Sequence, residues 1–227
     1  MCFSASASFG AGTVLCVAGL ITLKKVQSPS QLLFASIPLL FSVQQFTEGF
    51  VWLSLTYKEY ETWKFPSIYL FLFFAQVVWP VFVPLAIFLL EKDAKRKKIL
   101  KILMMMGVAV ALYLAYCLFK YPVNAAIVSL HISYLLNFPL AFSAWSGIFY
   151  VVPTVFPAII SSNKKVPLLG ITITASYLFT KIFYQVFLIS VWCFFAAVIS
   201  MIILYILTNM NKVTDAVNKP HPIVMQP

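Results

Sequence analysis

The stretch LFSVQQFTEGFVWLSL, residues 40–55, places two glutamines and a glutamate near the end of an apolar run of membrane-spanning length. At helical spacing, one face of this stretch carries four residues: Gln44, Gln45, Glu48 and Trp52. A carboxylate in the hydrocarbon region costs at least ~2.5 kcal/mol, so it normally faces the protein interior or water. The sequence therefore predicts a polar site around Glu48.

The composition identifies the class of protein. Of the 227 residues, 62% are hydrophobic and 10% are charged, and the mean hydropathy is +0.96. A soluble domain carries roughly 25% charged residues. Open sheets leave backbone groups unsatisfied in lipid, and these apolar runs are too continuous for the alternating pattern of an outer-membrane barrel. We therefore expect an all-α integral membrane protein.

The apolar runs predict a bundle of seven transmembrane helices. The predicted spans are residues 5–23, 31–55, 66–90, 99–119, 139–160, 166–183 and 184–209. Before the fifth helix, residues 122–138 form a further apolar segment, which we expect to be either a short hairpin or a re-entrant helix. Residues 1–209 are then a single transmembrane domain, and residues 210–227 are a flexible cytoplasmic tail.

The basic residues orient this bundle. Most of the 16 lysines and arginines fall on one side of it: Lys24, Lys25, Lys92, Lys95, Arg96, Lys97, Lys98, Lys101, Lys164, Lys165, Lys212 and Lys219. The positive-inside rule places that side in the cytoplasm, so the N-terminus lies outside and the C-terminus inside. Because the basic residues lie in short loops between apolar spans, the net charge of +10 reflects topology and does not indicate nucleic-acid binding.

This topology predicts one polar site in the outer half of the membrane. The unusual ionisable groups that it brings to that half are Cys2, Glu48, His131 and Lys181. The candidate ligand-binding residues are Gln44, Gln45, Gln76, Trp52, Tyr134 and Lys181. We expect the glutamines to form the floor of the site near the midplane, and the site to open to the outside or to the outer leaflet.

Several of these residues also have a purely structural interpretation. Glu48 could be protonated, or could pair with Lys181 without any function, and Lys181 could extend to the interface. His131 could be an ordinary interfacial histidine. The glutamines could be hydrogen-bonding residues between helices, and Trp52 could pack at the membrane interface. These alternatives stay open at the level of the sequence.

Cys2 suggests a more specific chemistry. After removal of Met1 it would carry a free α-amine beside its thiol, and this pair can act as a nucleophile or as a bidentate metal ligand. With Glu48 and His131 it would supply sulfur, nitrogen and oxygen donors, which suit zinc or another transition metal at a site with an open position. These three residues are the candidate catalytic and metal-binding residues. A thiol that only packs, or a disulfide to Cys117, are the alternatives.

Three motifs carry a resemblance to a known family: the opening MCFSASASF, QQFTEG in the second predicted span, and HISY before the fifth. Together they resemble an uncharacterised family of bacterial multipass membrane proteins with an MCFSAxASF start and a QQxxEGxxW second helix. The matching residues are Cys2, Phe3, Ser4, Ala5, Gln44, Gln45, Glu48, Gly49, Trp52, His131 and Tyr134. The resemblance implies a location in the bacterial inner (plasma) membrane and implies no particular chemistry.

Three functions are compatible with this sequence. We prefer a membrane-embedded site for a small ligand or metal, which could be catalytic. The second is a transporter or channel for ions or small solutes, although the chain lacks the internal repeat typical of alternating access. The third is a sensor or assembly subunit, whose basic cytoplasmic loop, residues 91–101, binds a protein partner or anionic lipid.

Overall fold

The computed structural model describes residues 4–139 and 144–218, without the side chains of residues 144–146, 193–194 and 212–218. These ranges are mostly helical, in agreement with the predicted all-α class. The main elements are α1 (Ala5–Lys24), α2 (Leu32–Thr56), α3 (Lys64–Phe73), α4 (Trp79–Leu90), α5 (Ala94–Lys120), β1 (Val123–Val128), β2 (His131–Leu136), α6 (Ala144–Ile159), α7 (Val166–Phe183), α8 (Leu188–Phe194) and α9 (Ala196–Asn218).

Several helices have the length and apolar character of membrane spans. Within the described ranges there are four: Ala5–Lys24, Lys58–Leu90, Ala94–Lys120 and Val166–Phe183. A fifth is added if the segments Gln185–Trp192 and Ala196–Asn211, which meet at 43°, count as one bent span. Helix α2 has 25 residues but carries the polar face around Glu48, and Gly147–Ile159 is apolar but shorter. The helices support a membrane protein, and the seven spans and their orientation stay predictions.

A π-helical turn, Phe74–Val78, joins α3 to α4. Pro80 has no N–H, so the regular ladder of hydrogen bonds cannot continue through it. The wider turn absorbs this interruption, and the helix runs on without a break. The hydroxyl of Tyr150 in α6 donates a hydrogen bond to the carbonyl oxygen of Ala75 in this turn. The third predicted span is therefore attached to the fifth at its middle.

The apolar segment at residues 122–138 is a β-hairpin, one of the two structures expected for it. Strands β1 and β2 are antiparallel, and Val128 lies opposite His131. Ser129 and Leu130 form the turn with positive φ angles of 48° and 66°, as two-residue hairpin loops require. Strand β2 is the more buried of the two and packs against α8 and the turn before it.

The described part of the bundle contains two hydrophobic cores, one toward each end. We call the first the basic-end core, because it lies next to the basic turns that follow α4 and α6; its fully buried members include Phe34, Ile87, Leu100, Leu169 and Ile203. The hairpin-end core joins the ends of α2, α3 and α5 to the hairpin; its members include Trp52, Phe71, Leu118, Ile132 and Tyr134. The region between the two cores holds the polar residues of α2.

A buried carboxylate connects two turns by hydrogen bonds at the basic end of the bundle. Glu91 follows α4 and is 2% exposed. It accepts hydrogen bonds from the backbone N–H groups of Lys92, Asp93 and Ser162 and from the hydroxyls of Ser161 and Ser162. Burial alone would raise the pKa of Glu91, but these hydrogen bonds, above all those from Ser162, lower that pKa to about 2. The turn after α4 is thereby fixed to the turn between α6 and α7.

Helix α9 is fixed at the same end by a second set of hydrogen bonds. The side-chain oxygen of Asn211 accepts from the amide of Gln31 at 3.1 Å, and its nitrogen donates to the carbonyl oxygen of Lys25. These contacts lie beyond residue 209, and α9 itself continues to Asn218. The division into a domain of residues 1–209 and a tail of residues 210–227 stays a prediction.

Candidate ligand cavity and buried polar site

A cavity of about 210 Å³ lies between the helices. Its walls come mainly from α2, the π-helical turn, α4, α6, α7, α8 and α9. Helix α7 shows the direction of the cavity, because four of its residues line the wall at intervals of four: Leu169, Ile173, Tyr177 and Lys181. At 1.5 Å per residue these positions extend over about 18 Å. The cavity is therefore elongated along α7.

The exposure of the lining residues shows where the cavity opens. Toward the hairpin end, the lining residues Tyr113, Lys181 and Gln185 are exposed. Toward the basic end, the lining residues Leu169 and Ile203 are fully buried. In the described part of the chain, the cavity thus reaches the surface at the hairpin end and is closed by the basic-end core.

Two glutamines contribute polar groups to a wall that is otherwise mainly apolar. Gln44 accepts a hydrogen bond from the indole N–H of Trp79 at 2.7 Å, and the Trp79 ring stacks on Phe41 with a centroid distance of 4.2 Å. Gln76 is 8% exposed, and its side-chain oxygen has no hydrogen-bond partner among the described residues. A buried acceptor without a donor costs about 1–3 kcal/mol. Gln76 can therefore gain by accepting a hydrogen bond from a bound molecule.

Among the described lining residues, Lys181 is the one charged side chain, and it lies at the opening of the cavity. The ammonium of Lys181 is 5.7 Å from the centre of the Tyr177 ring, one turn deeper along α7. This is a cation–π contact. No aspartate or glutamate is among the described lining residues. The opening of the cavity is therefore positive.

Glu48 lies beside the cavity, in a fully buried group of hydrogen bonds. The hydroxyl of Ser190 donates to one carboxylate oxygen at 2.6 Å, and the amide of Gln45 donates to the other at 3.2 Å. Short hydrogen bonds from hydroxyls to carboxylates are strong. They supply the polar contacts that a buried acid requires, and they join α2 to α8 at Ser190, which is itself fully buried.

The two candidate residues of the hairpin pack against aromatic side chains. The ring of His131 lies 4.7 Å from that of Phe187, and burial lowers the pKa of His131. Tyr134 stacks almost parallel on Phe71 at 4.8 Å and belongs to the hairpin-end core together with Trp52. Trp52 and Tyr134 thus lie in the core at this end and do not line the cavity.

The structure brings together part of the predicted catalytic and metal-binding set. His131 and Glu48 contact the same short segment, His131 at Phe187 and Glu48 at Ser190. Cys2 lies outside the described residues. Within those residues, no three His, Cys, Asp or Glu side chains come together to hold a metal ion. The catalytic and metal-binding roles of Cys2, Glu48 and His131 therefore stay predictions.

Two of the alternatives considered from the sequence are wrong. Glu48 is fully buried and accepts hydrogen bonds from Ser190 and Gln45, whereas Lys181 is exposed and lies over Tyr177, so Glu48 and Lys181 do not form the structural ion pair. A disulfide from Cys2 to Cys117 is also not formed, because Cys117 is a free thiol buried in the hairpin-end core.

Sequence reasoning missed three residues that connect the site to the rest of the bundle: Ser190, Tyr150 and Glu91. Ser190 is a single hydroxyl in an apolar run, and its partner is 142 residues away. Tyr150 bonds to a backbone oxygen and leaves no pattern in the sequence. Glu91 offered a signal, because Glu91 and Asp93 are the acids of a loop that is otherwise rich in lysine.

The profile of DUF6629, a family of unknown function, matches residues 1–218. The chain belongs to this family. The match covers the described helices, the hairpin and the cavity of this DUF6629 protein. No curated protein and no solved structure matches the chain.

Proposed function

We propose that this DUF6629 protein is a seven-span protein of the bacterial inner membrane that binds a small amphipathic ligand in the cavity along α7. In this proposal the N-terminus and the hairpin end face outward, and the basic end faces the cytoplasm. The ligand then enters from the outer side or the outer leaflet. The observation that carries the proposal is an elongated, mainly apolar cavity with its polar and charged groups at a few positions.

The size of the cavity supports a short apolar ligand. At ~30 Å³ for each water-sized group, a volume of about 210 Å³ admits about seven such groups. Each buried methylene contributes ~0.8 kcal/mol, so a chain of this length gains about 5–6 kcal/mol before the loss of its freedom is subtracted. We therefore expect dissociation constants between about 0.1 and 3 mM for simple eight-carbon ligands.

A matched pair of variants in α7 tests the cavity. Ile173 lines it and is 7% exposed, whereas Ile171, two positions earlier, is 61% exposed. Ile173→Phe should fill part of the cavity and Ile171→Phe should not. With purified protein and octanol displacing the fluorophore aminoanthracene, we expect binding at least about tenfold weaker for Ile173→Phe and unchanged for Ile171→Phe.

A second filling variant separates blocking from misfolding. Val151→Phe acts from a different helix, α6, at a half-buried lining residue. It should also weaken octanol binding while the thermal unfolding midpoint stays near that of the parent protein. Equal octanol binding by the parent, both filling variants and Ile171→Phe would refute the proposal.

A second candidate function is thiol or metal chemistry at the hairpin end, with Cys2, Glu48 and His131 as its residues. It is favoured by the contact of His131 and Glu48 with one short segment. Ala5, three residues after Cys2, also packs against the hairpin-end core. Zinc analysis of purified protein with and without Cys2→Ser tests the metal form, and labelling by a thiol reagent tests the nucleophile. Absence of metal and of Cys2-dependent labelling would refute it.

The two remaining functions have less support. A transporter needs a pathway to both sides, and the cavity is closed at the basic end by Leu169 and Ile203. A partner-binding role uses the basic loop at residues 91–101. In this loop Glu91 and Arg96 form hydrogen bonds with residues 160–162. The lysines of the loop would therefore supply the contacts to a protein or to anionic lipid. Co-purification after neutralisation of residues 95–98 tests that role.

A further inference from the structure

We propose that the ligand of the cavity is a single-chain amphiphile with an anionic headgroup, and that Lys181 binds this headgroup at the opening. The inference rests on the proposed function, because it names the chemical class of the molecule in the same cavity. It adds a specific role for Lys181, a residue that could otherwise be assigned only to the membrane interface.

The first argument is the charge at the opening. Lys181 is the one charged group among the described lining residues, and the lining contains neither aspartate nor glutamate there. Its ammonium rests on the face of the Tyr177 ring and stays exposed. The amide of Gln185, also exposed in the lining, offers a further donor beside it. A carboxylate or phosphate oxygen is the group that these donors complement.

The second argument is the order of residues below the opening. Along α7 the ammonium of Lys181 is followed by Tyr177, then by Ile173 and Leu169, over about 18 Å. A headgroup at Lys181 therefore places an attached chain against successively more apolar and more buried residues. A cavity of about 210 Å³, which admits about seven chain groups, accommodates one short chain. The arrangement matches an amphiphile with one tail.

Amphiphiles with different headgroups differ in how well they complement the positive charge at the opening. A neutral alcohol would use the apolar wall but would leave the ammonium without a counter-charge. A cationic amphiphile would place two like charges at the opening. Fatty acids and single-chain phospholipids share the anionic headgroup, and they differ in whether that group is a carboxylate or a phosphate.

The test compares three eight-carbon probes on the full-length protein in zwitterionic detergent: octanoate, octyl phosphate and octanol. Each is measured by displacement of aminoanthracene from the parent protein, Lys181→Met, Lys181→Arg and the control Lys120→Met. Lys120 ends α5 at the same end of the bundle, is exposed and does not line the cavity. It therefore controls for the general surface charge.

We expect Lys181→Met to weaken binding of octanoate or octyl phosphate about three- to tenfold, with octanol unchanged. Lys181→Arg should restore anion binding, and Lys120→Met should have no effect. The tighter of the two anions identifies a carboxylate or a phosphate headgroup as the natural source.

The possible negative results are distinguishable. If octanol binds as tightly as both anions and Lys181→Met changes none of them, the headgroup assignment is wrong while the cavity remains a binding site. If Lys120→Met and Lys181→Met weaken anion binding equally, the effect belongs to the surface charge and the assignment is also wrong. If no probe binds, or if Val151→Phe leaves binding unchanged, the proposed function fails together with the inference.

Discussion

The carboxylate of Glu91 should make the stability of this protein depend on acid pH. Because its hydrogen bonds lower its pKa from the ordinary 4.5 to about 2 in the folded protein, protonation costs more in the folded state than in the unfolded state. The difference is about 2.5 pKa units, and one unit is worth 1.36 kcal/mol, so the ionised group contributes about 3 kcal/mol. Glu91 lies in the turn at the end of the bundle, where solvent screens part of this energy, so about 3 kcal/mol is the upper limit of its contribution.

The sign follows from the lowered pKa. The contribution of Glu91 is fully present above about pH 4.5 and is lost as the pH falls toward about 2. Glu91→Gln should therefore lower the free energy of unfolding at pH 7 by up to about 3 kcal/mol. It should also remove the part of the pH dependence that falls between pH 5 and pH 2. The physical cause is the loss of the ionised acceptor to which Ser162 donates its hydrogen bonds.

The assay is thermal or denaturant unfolding of the purified protein in detergent, followed from pH 7 to pH 2. Glu59→Gln is the matched control, because it removes the same charge from an exposed position in the 3₁₀ helix that follows α2. Residues 160–162 connect α6 to α7, two walls of the cavity, so Glu91→Gln should also weaken octanol binding. If Glu91→Gln and Glu59→Gln both have the stability and the pH dependence of the parent protein, the hydrogen bonds of Glu91 do not stabilise the fold and the prediction is wrong.

Two further predictions concern the cavity wall and the hairpin. Gln76→Met should raise the free energy of unfolding by about 1 kcal/mol, because the side-chain oxygen of Gln76 has no donor among the described residues. Gln44→Met should lower the free energy of unfolding by about 1–3 kcal/mol, because the indole N–H of Trp79 loses its acceptor. If denaturant titrations show that both variants change the free energy of unfolding in the same direction, these roles of Gln76 and Gln44 are wrong. Replacing Ser129 and Leu130 together by Asn and Gly should stabilise the turn by about 1 kcal/mol, since both have positive φ; a lower unfolding midpoint would contradict it.

The sequence predicts three of the helices closely, because each of them is a local apolar run. The predicted spans at residues 5–23, 31–55 and 166–183 differ by no more than one residue at either end from α1, α2 and α7. The last predicted span is different, because residues 184–209 form a short turn and two helices that meet at an angle. Hydropathy does not report such a bend, since both sides of it are apolar.

The polar site was predictable only in part. The burial of Gln44, Gln45 and Glu48 follows from the cost of polar groups in lipid, and the sequence predicts it. Their partners do not follow, because Ser190 and Trp79 come from other helices and helical periodicity describes one helix at a time. The cavity itself arises from the packing of several helices and has no local pattern.

Quenching of tryptophan fluorescence by brominated octanoate tests the central claim most directly, because Trp79 and Trp192 line the cavity. A bromine on the chain must enter the cavity to reach these rings. We predict a saturable loss of emission for the parent protein, half complete between about 0.1 and 3 mM, and its disappearance in Val151→Phe. Linear, unsaturated quenching that is the same in the parent and in Val151→Phe would contradict a ligand-binding cavity in this protein.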